Sequence, residues 1–143
     1  MLTRALVPVL GACAAIGTTA GAAHAAYPTN SFSVSYGQTY TKGSVTWYNR
    51  SLNVSGSDKA QPGECRSTQA FSYAGDGTLL DSSSGDDGWV CVAPGGSATS
   101  NGYSFTISAN VPGGASYVVV ELLGSSYSAP YEQYLTQTTV YHP

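Results

Sequence analysis

Charge is scarce in this 143-residue chain: only 9% of it is Asp, Glu, Lys or Arg, where an average globular protein carries about 25%. The five basic residues form no stripe that could displace phosphate counterions, which argues against nucleic acid or an anionic membrane surface as partner. Histidine is rarer still. Beyond the N-terminal segment there is only His142, next to the last residue in "VYHP", where chain ends usually fray. A serine triad needs a histidine held by a carboxylate, and no G-x-S-x-G elbow is present, so His142 reads as a solvated terminal residue. Cysteine is too sparse, with no suitable histidine beside it, for a tetrahedral zinc site. Helical periodicity is missing over any useful length.

What the N-terminus does have is one arginine, a long uncharged run and then small residues: "MLTRALVPVLGACAAIGTTAGAAHAAYP". That layout predicts a secretory signal peptide over residues 1–25, cleaved after Ala23-x-Ala25, with a secreted, extracellular domain over 26–143. The run is too rich in Ala, Gly and Thr for a spanning helix, which needs about 20 strongly apolar residues. "VLGAC" also looks like a lipobox, and lipidation at Cys13 would instead tether the protein to the cell surface. After cleavage Lys42, Arg50, Lys59 and Arg66 stand against eight acids. Solubility then rests on Ser, Thr and amide groups.

Two cysteines remain in the mature chain, Cys65 and Cys91, and in an exported protein they should form a disulfide. Strand-like alternation runs throughout. "SFSVSY" puts Phe32, Val34 and Tyr36 on one face; Val45 and Trp47 share another, with Tyr48, Thr46 and Arg50 opposite them. Leu52 and Val54 continue one register out of phase, which a bulge or bend between Asn49 and Ser51 would reconcile. "CRSTQAFSYA" separates Cys65, Phe71 and Tyr73 from Arg66, Thr68 and Ser72. In "YSFTISANV", Tyr103, Phe105 and Ile107 share a face. "SYVVVELL" is so continuously apolar that it reads as a central strand buried on both faces, and "QYLTQTTVY" reads as the closing strand. With turns at "QPGE", "GDGT", "SSSGDDG" and "PGG", the pattern predicts an all-β, single antiparallel β-sandwich of immunoglobulin-like architecture, seven to eight strands, with a small barrel as the alternative.

The stretches "YGQTYTKGSVTWYNRS" and "CRSTQAFSYA" resemble small secreted proteins of actinomycete bacteria that carry no assigned activity. The resemblance covers most of the mature chain and implies a compartment but no chemistry. True immunoglobulin domains place a tryptophan between two bridged cysteines; here Trp47 precedes both and Trp89 lies two residues before Cys91.

No catalytic signature emerges, and no cofactor is implied. Glu121 stands out among the carboxylates because "VVVELL" sets it in the most apolar strand, where burial raises a pKa; paired with an aspartate it would make a small hydrolase. Asp81, Asp86 and Asp87 in "DSSSGDDG" could offer oxygens to calcium, although the spacing is not that of an EF-hand and Asp-Gly sequences form turns unaided. Aromatic residues are the richest lead. All 11 tyrosines and both tryptophans lie beyond the leader, and tyrosine offers a rigid ring with a polar tip at low entropic cost. Tyr48, Arg50, Tyr127, Tyr131 and Tyr134 are the candidate ligand contacts. The expectation is a non-catalytic domain binding cell-wall or environmental polysaccharide. The alternatives are a protein-interaction module (inhibitor, toxin-like effector or coat component) facing a secreted or surface protein, and the small hydrolase.

Overall fold

The computed structural model describes residues 26–85, 88–129 and 131–143; the expected leader, Cys13, Asp86 and Asp87 lie outside them. The described chain contains no helix. It forms β1 (Thr29–Tyr36), β2 (Thr39–Trp47), β3 (Ser51–Ala60), β4 (Glu64–Tyr73), β5 (Leu79–Ser84), β6 (Val90–Cys91), β7 (Thr99–Ser108), β8 (Tyr117–Ser126) and β9 (Gln133–Tyr141). Every pairing is antiparallel. One sheet runs β1-β2-β3-β7; the other runs β5-β4-β8-β9, with the two-residue β6 also on β4. The fold is a β-sandwich, not a closed barrel.

Alternation decides which side chains enter the space between the sheets. From the first sheet come Val45, Trp47, Leu52, Val54, Phe105 and Ile107; they meet Ala70, Val118, Val120 and Val140 of the second. Burying each of the larger ones stabilises the fold by about 1.5–3 kcal/mol. Toward the other end of the same strands the filling turns polar. Thr39, Thr41, Asp58, Arg66 and Thr68 are all buried. Arg66 Nε donates to Thr39 Oγ1 at 3.0 Å and Nη1 to the Cys65 carbonyl at 2.7 Å, while Nη2 pairs with Glu64 Oε2 at 2.7 Å. With these bonds the buried guanidinium is not left uncompensated.

Several local expectations sharpen or change. Of the bulge or bend expected between Asn49 and Ser51, the bend is present, as the chain reversal that joins β2 to β3. Trp47 pairs with Leu52, and Tyr48 N donates to the Ser51 carbonyl at 2.9 Å, so Val45 and Val54 sit side by side on neighbouring strands. β8 is central, but only Val118, Val120 and Leu122 point inward; Tyr117, Val119 and Glu121 lie half-buried on the outer face. In β4, whose two sides the sequence separates without assigning either to the core, the hydroxyl-bearing side faces inward and Phe71 and Tyr73 face outward. The loop expected over "SSSGDDG" begins late, since Ser82, Ser83 and Ser84 belong to β5. The Cys65–Cys91 disulfide forms as expected, joining directly paired residues of β4 and β6. It therefore staples neighbours within one sheet, unlike the inter-sheet bridge of antibody domains.

Candidate functional site

At the end of the sandwich where β2 reverses into β3, three chain segments converge. Trp47 N donates to the Pro28 carbonyl at 2.9 Å, which holds Tyr27 and Pro28 beside the reversal. On the far side Ala109 N donates to the Arg50 carbonyl at 2.8 Å, bringing up the loop of Val111, Pro112, Gly113 and Gly114. That loop fits because Gly114 has a φ of 71° and an added Cβ would stand 2.9 Å from the Asn49 carbonyl oxygen, so an L side chain is opposed twice. The third segment is the chain end. His142 N donates to the Ser116 carbonyl at 2.9 Å, continuing the ladder past Tyr141. His142 is thus tied down rather than frayed, and its ring meets the Trp47 indole edge-on at 5.0 Å.

Between them lies a pocket of about 420 Å³, within the range of small-ligand sites. Tyr27 and Tyr48 form one wall, ring centroids 4.6 Å apart and interplanar angle 68°. Trp47 and His142 form another, and Asn49, Arg50 and Pro112 complete the rim. Trp47 is 2% exposed and its Nε1 donates to Asn30 Oδ1 at 2.8 Å, which locks the indole. Tyr48 is 37% exposed and free to meet a ligand. Arg50 Nη1 donates to Asn110 Oδ1 at 2.9 Å, which orients the guanidinium and leaves its other donors for a guest. Among the described lining residues there is no carboxylate. The pocket offers ring faces, hydrogen-bond donors and the His142 imidazole.

The five residues expected to contact ligand do not form one surface. Tyr48 and Arg50 are together here. Tyr127, Tyr131 and Tyr134 are exposed around the β8–β9 connection, with Tyr127 N bonded to the Gly63 carbonyl and Tyr134 opposite Leu123. The pocket end is marked by the Tyr117–Tyr141 pair, and the stretch of β8 from Tyr117 to Leu123 spans roughly 20 Å. One rigid ligand unit cannot touch both groups.

The sequence reading missed Tyr27 and His142, whose approach depends on pairings with distant strands. It also missed a row formed by register: Tyr73, Tyr117 and Tyr141 stand side by side on β4, β8 and β9. Tyr73 and Tyr117 stack at 4.9 Å and 8°, and Tyr117 and Tyr141 meet tilted at 5.8 Å and 44°. Tyr73 and Tyr117 are close enough to cover each other's faces. The row is a cross-strand ladder that stiffens the sheet.

The other candidates find ordinary partners. Glu121 faces Gln69 and Gln137 in register, so amides rather than a second carboxylate flank it; burial raises its pKa. Asp81 accepts from Ser108 N at 3.0 Å and Ser82 N at 2.9 Å. Those bonds, Ser108 first, hold its carboxyl below the ordinary range and tie β5 to the end of β7. Among the described residues no three His, Cys, Asp or Glu side chains gather as metal ligands.

The chain matches no protein family, no curated protein and no solved structure. Its function must be argued from the site.

Proposed function

We propose that this protein is a secreted, non-catalytic binding domain whose pocket takes a sugar unit of a cell-wall or environmental polysaccharide. The observation that carries the reading is the pairing of Tyr27 and Tyr48 across from Arg50 and Asn49, with no carboxylate among the described lining residues. A pyranose has apolar C–H faces and a hydroxyl rim, and this pocket offers the counterpart of each. Export is supported by the leader pattern of residues 1–25 and by the Cys65–Cys91 bridge, since disulfides persist in oxidising compartments. The test is depletion of the mature protein from solution by insoluble peptidoglycan, chitin and cellulose, with Tyr48→Ala as control. Depletion that Tyr48→Ala weakens supports the pocket; depletion by none of the three removes the reading.

A second reading, a protein-interaction module, draws on Tyr127, Tyr131 and Tyr134, which are exposed by 48%, 78% and 57% at the opposite end. Tyrosine is enriched at protein interfaces. A pull-down from secreted and surface proteins that depends on Tyr131 and not on Tyr48 would favour it.

A further inference from the structure

The outer face of the second sheet carries a hollow that the pocket does not use. β4, β5 and β8 form its floor with Ser67, Gln69, Ser84 and Ser125, and Trp89 and Glu132 line both of its connected lobes, of about 350 and 210 Å³. The Cys65–Cys91 bridge lies under the smaller lobe, which fixes the short strand that follows Trp89. Trp89 is 37% exposed, and unlike the tyrosines of the ladder it stacks on no other aromatic ring among the described residues. A partly exposed indole thus shares the hollow with serine hydroxyls, the Gln69 amide and Leu123.

We infer that this hollow is a second saccharide site, for an uncharged pyranose stacked on Trp89 with its hydroxyls bonded to Gln69 and Glu132. The inference rests on the polysaccharide reading of the protein and extends it to a second contact and a ligand class. Three features carry it. The lining combines one large apolar ring with polar groups that both donate and accept, which suits the two-sided surface of a sugar. Glu132 is the one charged group among the described lining residues, so a uronate, sulfate or phosphate would be repelled. A peptide strand has little to pair with, because β4 is bonded to β8 along one side and to β5 and β6 on the other, leaving a gap only at Ser67 and Thr68. The hollow reaches the far end of β8 from the Tyr48 pocket, so the two sites are separate.

The fluorescence of the two tryptophans separates them, since Trp47 is buried and acrylamide reaches Trp89. The full mature protein is titrated with hexamers of glucose and of N-acetylglucosamine, and with hexagalacturonate as the anionic probe; the variants are titrated by calorimetry. At least one neutral hexamer should protect Trp89 from quenching, and hexagalacturonate should not. Trp89→Ala should weaken that hexamer about tenfold and Trp89→Phe should retain it, the scale expected for one aromatic stacking contact. Protection should persist in Tyr48→Ala. Absence of protection by either neutral hexamer, protection by hexagalacturonate alone, or full affinity in Trp89→Ala overturns this site. Depletion that Tyr48→Ala abolishes while Trp89→Ala leaves it unchanged overturns this site and leaves the pocket standing. The reverse pattern removes the pocket and leaves this site. A protein captured through Trp89 with no response to the neutral hexamers also overturns it.

Discussion

Thr68 on β4 donates its hydroxyl proton to Asp58 Oδ1 on β3 at 2.6 Å, so one short hydrogen bond between two buried side chains crosses the space between the sheets. Thr41 Oγ1 stands 2.7 Å from the same hydroxyl, and the Tyr103 hydroxyl is 2.6 Å from Thr41, extending the contact to β2 and β7. Four strands thus share one polar chain within an otherwise apolar sandwich. Burial is the dominant influence on both ends of it, pushing Asp58 up to about 6 and Tyr103 up to about 12.

That carboxyl makes stability depend on pH. Asp58 titrates near 3.9 when unfolded and near 6 when folded, so the folded state holds its proton more tightly. Its stabilising contribution is full below about pH 4, declines between about pH 4 and 6, and is gone above that, a difference of roughly 3 kcal/mol. Asp58→Asn keeps an acceptor for Thr68 without the charge. Its melting temperature at pH 7.5 should exceed that of the wild type by several degrees, and the pH 4–7 slope of denaturant midpoints should flatten. An unchanged slope would show that the carboxyl does not govern it.

Packing between β2 and β3 predicts an asymmetry among glycines. Gly43 and Gly56 are directly paired and both face inward. A Cβ on Gly43 would run into the Ser55 carbonyl oxygen, and one on Gly56 would stand 2.7 Å from the Tyr103 hydroxyl. Gly102, on β7, has its nearest neighbour at 3.6 Å. Gly43→Ala and Gly56→Ala should each cost about 1–3 kcal/mol by urea unfolding, as overpacking does. Gly102→Ala should change stability little.

The disulfide should matter mainly through the unfolded chain. Closing a loop across a sequence separation of 26 residues restrains that ensemble by about 3.5 kcal/mol on the chain-entropy estimate. Reduction should lower the melting temperature by several degrees, as followed by calorimetry with and without reductant. Val92 N still donates to the Glu64 carbonyl at 2.9 Å and Gly63 N to the Val92 carbonyl at 2.8 Å, so β6 should stay docked in the reduced protein. Global unfolding on reduction at 25 °C would contradict this.

At the pocket, Tyr48→Ala should weaken polysaccharide retention by about three- to tenfold, the scale of one aromatic contact. The melting temperature should move little, because Tyr48 is partly exposed and Trp47 supplies the buried anchor. Asn30→Ala should do the opposite. It strands the buried Trp47 Nε1–H and should cost about 1–3 kcal/mol of stability.

Local pattern was enough for much of the fold. A period of two in β1, β2 and β7 needs only neighbouring residues to show that Phe32, Val34, Val45, Trp47, Phe105 and Ile107 point one way, and all are buried. Two cysteines in a chain with an export-like leader were enough for the bridge. The reversal at Tyr48–Arg50 was harder to read, because a phase shift looks alike in a bulge and in a tight hairpin. β4 was ambiguous for a deeper reason. Its side with Phe71 and Tyr73 is the more apolar, yet the side with Arg66, Thr68 and Ser72 enters the core, where Thr39, Thr41 and Asp58 of other strands supply the hydrogen bonds that make burial affordable. The pocket depends on the same kind of distant partner: Tyr27, Tyr48 and His142 are far apart in the chain and meet only because β2 pairs with β3 and β9 closes against β8. Alternation is a property of neighbours along a strand, whereas register and the choice of buried face are set by free energy summed over strands that meet only in three dimensions.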